Sequence, residues 1–252
     1  NKIEYILNDI DNSLNFYKSQ KNILNLEETT IKIYCARGGM RSHSISWILG
    51  KYNIKNITLK GGYKNYRKWT LDTFNKVWEL IVIGGKTGTG KTKLLKLLAE
   101  NNYQILDLEG LACHRGSTFG GLGMGKQPSN EQFENSIAEV LNNFNINKKI
   151  LVEAESANIG KCKIPHDFFN KMKKAMRIEI IKSESNRLEE LINTYSIYDE
   201  KDLMEAVIRI KKRLGPQRTK TAIEAIKNKD WKSVCESVLE YYDKCYEHEK
   251  IG

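Results

Sequence analysis

The sequence predicts an α/β fold with a parallel β-sheet and a helical C-terminal region, and three observations support this. Short apolar, β-branched segments alternate with segments of helical periodicity over much of the chain. A glycine-rich phosphate-binding motif, residues 85–92, joins an apolar segment to a helical one. From Ser185 onward the pattern is helical, with an interruption near Gly215 and Pro216. Strands that alternate with helices are typical of a parallel, doubly wound sheet.

Residues 1–70 are expected to form a first domain. Apolar side chains at helical spacing predict a helix over residues 2–18. The other elements expected here are a strand over 31–34, a helix over 42–49, a strand over 54–59 and a connector over 63–77.

Residues 78–184 are expected to form a second domain, and residues 185–252 a helical region packed on it. The elements expected in the second domain are strands over 80–83, 104–108, 149–152 and 176–181 and helices over 92–100 and 130–142. A glycine-rich loop, residues 115–125, lies between the second and third of these strands. The strands over 104–108 and 149–152 each end in acidic residues.

The composition is that of an ordinary globular domain, with 252 residues, 40% hydrophobic and 29% charged. No apolar run approaches the ~18 residues of a membrane span, and the first residues do not resemble a signal peptide. Five cysteines occur without a C-x-x-C pair, which argues against a zinc site or a disulfide framework. We therefore expect a cytoplasmic protein with no membrane partner.

The net charge of +10 favours a polyanionic partner, and its distribution is uneven. Residues 1–78 carry 13 Lys and Arg against 6 Asp and Glu, and residues 201–229 carry 9 against 3. Residues 99–160 are acidic, with 8 Asp and Glu against 4 Lys and Arg. Nucleic-acid binding at the basic regions and solvated lysine-rich helix faces are equally compatible with this pattern.

The motif G-x-x-x-x-G-K-T predicts a P-loop that binds a phosphorylated ligand. Its candidate phosphate-binding residues are Gly85, Gly88, Gly90, Lys91 and Thr92. Glycines let successive amides converge on phosphate oxygens, and the start of the following helix adds its positive dipole end. Lys91 supplies a positive charge, and Thr92 is a candidate Mg²⁺ ligand. ATP, GTP and other diphosphates all fit the motif, so the ligand stays open.

An acidic residue at the end of a neighbouring strand is expected to assist the P-loop and its metal. Asp107 or Glu109 follows one predicted strand, and Glu153 or Glu155 follows another. The sequence does not separate these candidates, and either pair could instead be surface acids with no metal role.

A second motif places Cys35 and Arg41 in a C-x5-R arrangement between a predicted strand and a helix. Such a loop wraps backbone amides around an anion, with the cysteine sulfur at its centre. These amides, Arg37 and Arg41 are expected to lower the pKa of the thiol and so favour the reactive thiolate. With Gly38 and Gly39 at its centre, the loop resembles a rhodanese active-site loop. A buried cysteine at a strand end is the alternative.

The chain as a whole resembles the tRNA 2-selenouridine synthase family, in which a rhodanese domain is fused to a P-loop domain. The segments that carry the resemblance are residues 34–42, 61–64, 66–67, 85–92, 107–112, 114–117, 119–120, 127–128, 153–156, 159–160, 213–215, 217–218 and 241–243. The segment D-L-E-G-L-A-x-H-R-G-S beside a P-loop is more specific than either loop alone.

The resemblance implies a transferase that acts in two steps on the wobble 2-thiouridine of tRNA. Geranyl diphosphate first alkylates the sulfur, and selenium from selenophosphate then displaces the S-geranyl group. The P-loop would hold the diphosphate, and Cys35, with Arg37 and Arg41, would serve the chalcogen exchange. Independently of the resemblance, His114 and Arg115 follow a strand end near the P-loop and are candidates for contacts with the diphosphate or the tRNA backbone; a capping or packing loop is the alternative. The basic segments 171–177 and 209–218 are candidates for contacts with the tRNA backbone.

The chain departs from the family at the rhodanese domain. No D-x-R-type segment precedes Ile31, so we expect a partial rhodanese-like domain followed by a P-loop NTPase-like domain. Either the sequence is a piece of a longer protein, or a separate polypeptide completes the domain. Two other functions stay open: a P-loop small-molecule kinase or NTPase with an inert rhodanese module, and a non-catalytic tRNA-binding subunit.

Overall fold

A computed structural model describes residues 30–117 and 119–250 of the chain. The chain divides into two compact units that meet in sequence between Trp69 and Thr70. The helix expected over residues 2–18 lies outside the described residues. The helical region over 185–252 belongs to the same unit as the P-loop.

The described part of the first unit is built on two parallel strands, β1 (Ile31–Ile33) and β2 (Asn56–Thr58). Helix α1 (Met40–Lys51) connects them, as the sequence predicts, and helix α2 (Gly62–Asn75) follows β2. The expected connector over residues 63–77 contains the boundary between the two units, and most of it is helical. Its aromatic side chains recur every three residues and pack ring against ring, with centroids 5.9 Å apart for Tyr63 and Tyr66 and 5.4 Å for Tyr66 and Trp69.

The second unit contains the other described elements. Its strands are β3 (Leu80–Gly84), β4 (Gln104–Leu106), β5 (Ile150–Glu153), β6 (Asn158–Ile159), β7 (Cys162–Lys163) and β8 (Met176–Glu179). Its helices are α3 (Lys91–Glu100), α4 (Leu108–Ala112), α5 (Asn130–Asn142), α6 (His166–Lys174), α7 (Glu184–Tyr195), α8 (Glu200–Arg209), α9 (Lys211–Leu214), α10 (Pro216–Lys227) and α11 (Trp231–Lys250).

Four parallel strands form the main sheet of this unit, in the order β4-β5-β3-β8. The P-loop strand β3 is central, with Leu80 opposite Ile150 of β5 and Ile81 opposite Met176 of β8. Strands β3 and β5 are almost entirely buried, which explains why they read as continuous apolar runs. The predicted α/β fold with a parallel sheet and a helical C-terminal region is confirmed.

The P-loop leaves the sheet at the carboxyl end of β3, where the chain turns to the outer strand β4 before it returns to β5. Ligands in open α/β sheets bind at this end of the strands, next to such a change in strand order. Helix α3 then packs on the sheet through Leu95, which lies in one apolar cluster with Ile83 and Leu151. This packing fixes the start of α3 relative to the strand that precedes it.

Two local differences from the predicted elements have clear causes. The strand expected over 104–108 ends at Leu106, because Asp107 accepts a hydrogen bond from the Gly110 amide and caps helix α4. The antiparallel pair β6 and β7 and helix α6 are not anticipated from the sequence, because their apolar patterns are short.

The C-terminal helices share one hydrophobic core, which includes Leu203, Val207, Ile226 and Val238. Phe119 reaches into this core from the glycine-rich loop, and so does Leu122 of the same loop. The expected interruption is present at Gly215, which has φ of 87° and precedes α10. No helix in the described part of the chain is long and apolar enough to span a membrane.

Candidate functional site

The P-loop is held in a tight turn by its glycines. Gly85, Gly88 and Gly90 have φ of 148°, 82° and 82°, a region that other residues rarely adopt. A Cβ atom on Gly88 would lie 2.6 Å from the main-chain oxygen of Arg187, so helix α7 leaves no room for a side chain there. The Nζ atom of Lys91 donates a hydrogen bond to the Gly85 oxygen over 2.7 Å. The lysine charge therefore lies directly at the mouth of the loop.

An open cavity of about 670 Å³ lies above the P-loop. Lys93, Lys96 and Arg115 line it. Apolar and aromatic side chains of Leu191, Tyr195, Tyr241 and Tyr242 also line it, together with Thr194, Glu190 and Arg213. The cavity therefore combines polar and cationic groups with side chains suited to an apolar group.

A carboxylate stands beside the threonine of the P-loop. The Thr92 hydroxyl lies 3.3 Å from Glu109 Oε2 and donates to it. Glu109 is buried, and desolvation raises the pKa of its carboxyl despite the opposing effects of Glu155 and Lys91. Burial, followed by the nearby charge of Glu109, raises the pKa of Glu155 as well. Both carboxyls line the cavity.

The other two candidate acids have different surroundings. Asp107 caps helix α4 and so already has a structural role. Glu153 is fully buried, and its Oε2 accepts a hydrogen bond from the Leu108 amide over 3.1 Å. Burial, with smaller contributions from the charges of Asp107 and Glu109, raises the pKa of Glu153 to about 8. Of the four acids, the structure places Glu109 and Glu155 at the cavity.

The glycine-rich loop contributes one of its two predicted contacts to the cavity. Arg115 lines the cavity, donates from Nη1 to the Leu122 oxygen over 3.1 Å and lies over the Tyr198 ring. The buried Nδ1 of His114 has no hydrogen-bond partner among the described residues. Burial, followed by the charge of Arg209, lowers the pKa of His114.

The cysteine loop belongs to the first unit. Cys35 Sγ accepts a hydrogen bond from the Gly39 amide over 3.3 Å and lies 3.4 Å from Ser42 Oγ. The Ser42 hydroxyl is the largest influence on the thiol and the amides of Arg37, Gly39 and Ser42 add to it, so the pKa of Cys35 falls to about 6. The lowered pKa agrees with the expectation, although its chief source is Ser42 rather than the exposed Arg37 and Arg41 side chains.

The P-loop and its acids offer candidate metal ligands. Within residues 30–117 and 119–250, no group of three or more His, Cys, Asp and Glu side chains is arranged to hold a metal ion. The Thr92 hydroxyl and the Glu109 carboxylate are nevertheless hard oxygen donors of the kind that Mg²⁺ prefers. They fit a Mg²⁺ ion that keeps its remaining positions for water and ligand phosphate.

Comparison with known proteins identifies the family. The family model described as the tRNA 2-selenouridine synthase AAA domain matches residues 78–251. Curated proteins named tRNA 2-selenouridine synthase are 33% identical over 250 residues in a Sulfurovum species and 32% identical over 260 residues in Pseudomonas syringae. These alignments cover 86% of this chain and 67% and 68% of the two relatives. The chain belongs to the tRNA 2-selenouridine synthase family.

The alignments with other tRNA 2-selenouridine synthases cover smaller shares of this chain and of the relatives. The relative from Nitrosomonas europaea is 36% identical over 169 residues, which are 65% of this chain and 43% of that protein. For Aeromonas salmonicida the alignment covers 54% of the relative. The chain thus spans about half the length of the first curated relatives that it matches. The P-loop and all four candidate acids fall inside the family model, whereas Cys35 lies outside its matched range.

In this tRNA 2-selenouridine synthase family member, three side chains contact the P-loop directly, although the sequence did not assign them to the site. They are Arg187, Asp243 and Tyr246. Arg187 Nε donates to the Thr87 oxygen over 2.8 Å, and both of its terminal nitrogens donate to Asp243. The Gly85 amide donates to the Tyr246 hydroxyl over 3.1 Å. Only the segment 241–243 had a signal in the sequence, through the family resemblance; Arg187 and Tyr246 had none.

Proposed function

We propose that this chain carries out the two-step conversion of wobble 2-thiouridine in tRNA to 2-selenouridine, as a geranyltransferase and selenotransferase of the cytoplasm. The co-substrates are geranyl diphosphate and selenophosphate. The observation that carries the proposal is the cavity, which is lined both by the P-loop and by apolar and aromatic side chains, in a member of this family. A prenyl diphosphate likewise combines a charged end with a hydrocarbon end.

In the first step, the sulfur of 2-thiouridine attacks C1 of the geranyl group, and the bond from C1 to the diphosphate oxygen breaks. The leaving diphosphate takes the electron pair, and the P-loop amides with Lys91 stabilise its added charge. Leu191 and Tyr195 offer apolar surface to the geranyl chain, and each buried CH₂ group contributes roughly 0.8 kcal/mol. The carbon that reacts would then lie between the P-loop and these side chains.

Mg²⁺ fits this step as an aid to diphosphate binding. Thr92 and Glu109 would hold the ion, with Glu155 beside them. The bound ion would neutralise part of the diphosphate charge. A nucleoside triphosphate would use the same P-loop, so ATP or GTP is the competing ligand.

The second step is assigned to the cysteine loop. In this step the selenium of selenophosphate forms a bond to C2 of the base, the C2–S bond breaks so that geranylthiol leaves, and water cleaves the Se–P bond to release phosphate. The low pKa of Cys35 favours a thiolate at neutral pH, which is the nucleophilic form of the thiol. Arg37 and Arg41 stand beside it as exposed cations for the selenophosphate anion. We propose that this step needs the remaining half of a rhodanese domain, supplied by further sequence or by a separate chain.

The tRNA would lie along exposed cations of the helical region. Lys211, Lys220 and Lys227 line a groove of about 400 Å³ on α9 and α10, with Pro216 and Ile223 in its floor. In the other basic segment, Lys171 donates to the Phe74 oxygen and Arg177 to Glu179 and Tyr246. These two cations are therefore engaged within the protein, and the groove on α9 and α10 is the better candidate for the tRNA backbone.

One experiment tests the proposal. The protein is incubated with 2-thiouridine tRNA, geranyl diphosphate and selenophosphate, and the nucleosides are analysed by mass spectrometry, beside Lys91→Ala and Cys35→Ala. We expect Lys91→Ala to lose geranylation and Cys35→Ala to keep geranylation but lose selenation. Equal geranylation by Lys91→Ala and the unaltered chain would overturn the role of the P-loop.

Two other outcomes would replace the proposal. ATP hydrolysis or phosphoryl transfer without tRNA would identify a kinase or NTPase with an inert rhodanese module. Tight binding of 2-thiouridine tRNA without conversion, even in the presence of a complete rhodanese domain, would identify a non-catalytic tRNA-binding subunit.

A further inference from the structure

Asp243 and Tyr246 of helix α11 hold the P-loop through hydrogen bonds. Asp243 accepts hydrogen bonds from both terminal nitrogens of Arg187 and from Lys86 Nζ, the last over 3.2 Å. Arg187 in turn donates from Nε to the Thr87 oxygen. Two consecutive P-loop residues, Lys86 and Thr87, are thereby tied to one carboxylate.

A second contact comes from Tyr246, one helical turn after Asp243. Its hydroxyl accepts from the Gly85 amide over 3.1 Å and from Arg177 over 3.0 Å, and it donates to Glu179 Oε2 over 2.7 Å. This single hydroxyl therefore joins the first P-loop glycine to two residues of strand β8. Because residues three apart share a helix face, Asp243 and Tyr246 contact the loop together.

The ion pair of Arg187 and Asp243 is mostly buried, so its role is not to neutralise a charge on the protein surface. The Arg187 side chain is 5% exposed and the Asp243 side chain 24%. Burial would raise the pKa of Asp243, but the hydrogen bonds and charges of Arg187 and Lys86 outweigh it and hold that pKa low. Neither Arg187 nor Asp243 lines the cavity, whereas Thr87 and Tyr246 do. The pair can thus act on a ligand only through the loop that it holds.

We infer that Arg187 and Asp243 are positioning residues for phosphate binding: they set the P-loop conformation through Thr87 and Lys86, with Tyr246 as a second anchor at Gly85. The inference rests on the proposed function only in that the P-loop takes a phosphorylated ligand. By this inference the helical region positions the P-loop, in addition to the tRNA binding proposed above.

The test uses two substitutions that change local charge in opposite directions, Asp243→Asn and Arg187→Gln. If the two residues acted by long-range electrostatics, the first would strengthen binding of an anion and the second would weaken it. If they position the loop, both weaken it. We expect the dissociation constant of inorganic pyrophosphate, measured by calorimetry, to rise at least about tenfold in each variant.

Matched controls separate positioning from loss of folding. Glu236→Gln removes another ion pair of α11, to Lys232, and neither residue lines the cavity, so this variant should leave pyrophosphate affinity unchanged. Tyr246→Phe removes only a hydroxyl and should weaken pyrophosphate binding by a smaller factor. Thermal unfolding and binding of 2-thiouridine tRNA establish that each variant is folded.

The possible results are distinct. Tighter pyrophosphate binding by Asp243→Asn would show that Asp243 competes with phosphate for cations, and would overturn the inference. So would unchanged affinity in folded Asp243→Asn and Arg187→Gln. Failure of the unaltered chain to bind either pyrophosphate or geranyl diphosphate would instead count against the proposed function.

Discussion

The hydroxyl of Thr92 lies 3.3 Å from Glu109 Oε2 and donates to it, which joins the P-loop helix to the acid that follows strand β4. Asp107 precedes Glu109 by only two residues, yet it caps α4 and faces the Gly110 amide. Glu109 is therefore the better candidate to assist a metal beside Thr92.

This difference predicts distinct effects for two substitutions that each remove one negative charge. Glu109→Gln should reduce the stimulation of pyrophosphate binding by Mg²⁺ by about tenfold, as expected when a group that positions a metal is lost. Asp107→Asn keeps a capping oxygen and should leave that stimulation intact. Calorimetric titration with and without Mg²⁺ measures both. Equal Mg²⁺ stimulation in the two variants would assign no special role to Glu109.

A second prediction concerns the pH dependence of stability and rests on Glu153. Because burial raises the pKa of this carboxyl from 4.5 to about 8, the folded state holds a proton that the unfolded state releases. The free energy of unfolding therefore falls as the pH rises from about 4.5 to about 8, and levels off above that range.

Glu153→Gln should remove this contribution, because the amide oxygen can still accept from the Leu108 amide without ionising. Urea unfolding at pH 5 and pH 9 measures the effect. Between these values we expect the unaltered chain to lose roughly 4 kcal/mol more than the variant. Parallel losses in the two proteins would mean that Glu153 ionises normally when folded.

A third prediction concerns the reactivity of Cys35. Since the Ser42 hydroxyl is the largest influence on its lowered pKa, alkylation of Cys35 by iodoacetamide should rise with a midpoint near pH 6. Ser42→Ala should move that midpoint to higher pH. Ser46→Ala is the matched control, because Ser46 lies on the same helix but contacts Asn56. Peptide mass spectrometry follows Cys35, and an unchanged midpoint in Ser42→Ala would leave the backbone amides as the sole cause.

The sequence was sufficient where a feature depends on neighbouring residues. The P-loop follows from a contiguous motif, and β3 and β5 follow from apolar runs that are buried on both faces. The cysteine loop is equally local, although the part of Ser42 in lowering the thiol pKa required its distance to Cys35. Such features are predictable because the residues that determine them are adjacent in the chain.

Features that join distant segments could not be predicted. Arg187 and Asp243 are 56 residues apart, and no local pattern indicates that one carboxylate holds the P-loop through that arginine. The choice between Asp107 and Glu109 likewise depended on where β4 ends and α4 begins. If α4 began two residues later, Glu109 would stand at the capping position that Asp107 now occupies. Strand and helix ends are where sequence patterns are least specific.

The last prediction concerns the groove on α9 and α10. Lys211, Lys220 and Lys227 line it and are exposed, and Lys220 forms a long ion pair, 3.9 Å, with Glu224. Each lysine that neutralises an RNA phosphate releases a counterion, so binding weakens as salt rises. Replacing all three by alanine should weaken binding of 2-thiouridine tRNA and reduce the slope of log affinity against log salt by roughly 2 to 3.

The matched control replaces Lys126, Lys148 and Lys149, which are exposed and lie outside the groove. It removes the same total charge, so a general electrostatic attraction would lower the slope equally in both variants. A specific contact lowers it only in the groove variant. Fluorescence anisotropy at several salt concentrations measures the slopes, and calorimetry with pyrophosphate shows whether the P-loop site is intact. Equal slopes for the groove variant and the unaltered chain would place the tRNA elsewhere, since three lost phosphate contacts cannot leave the salt dependence unchanged.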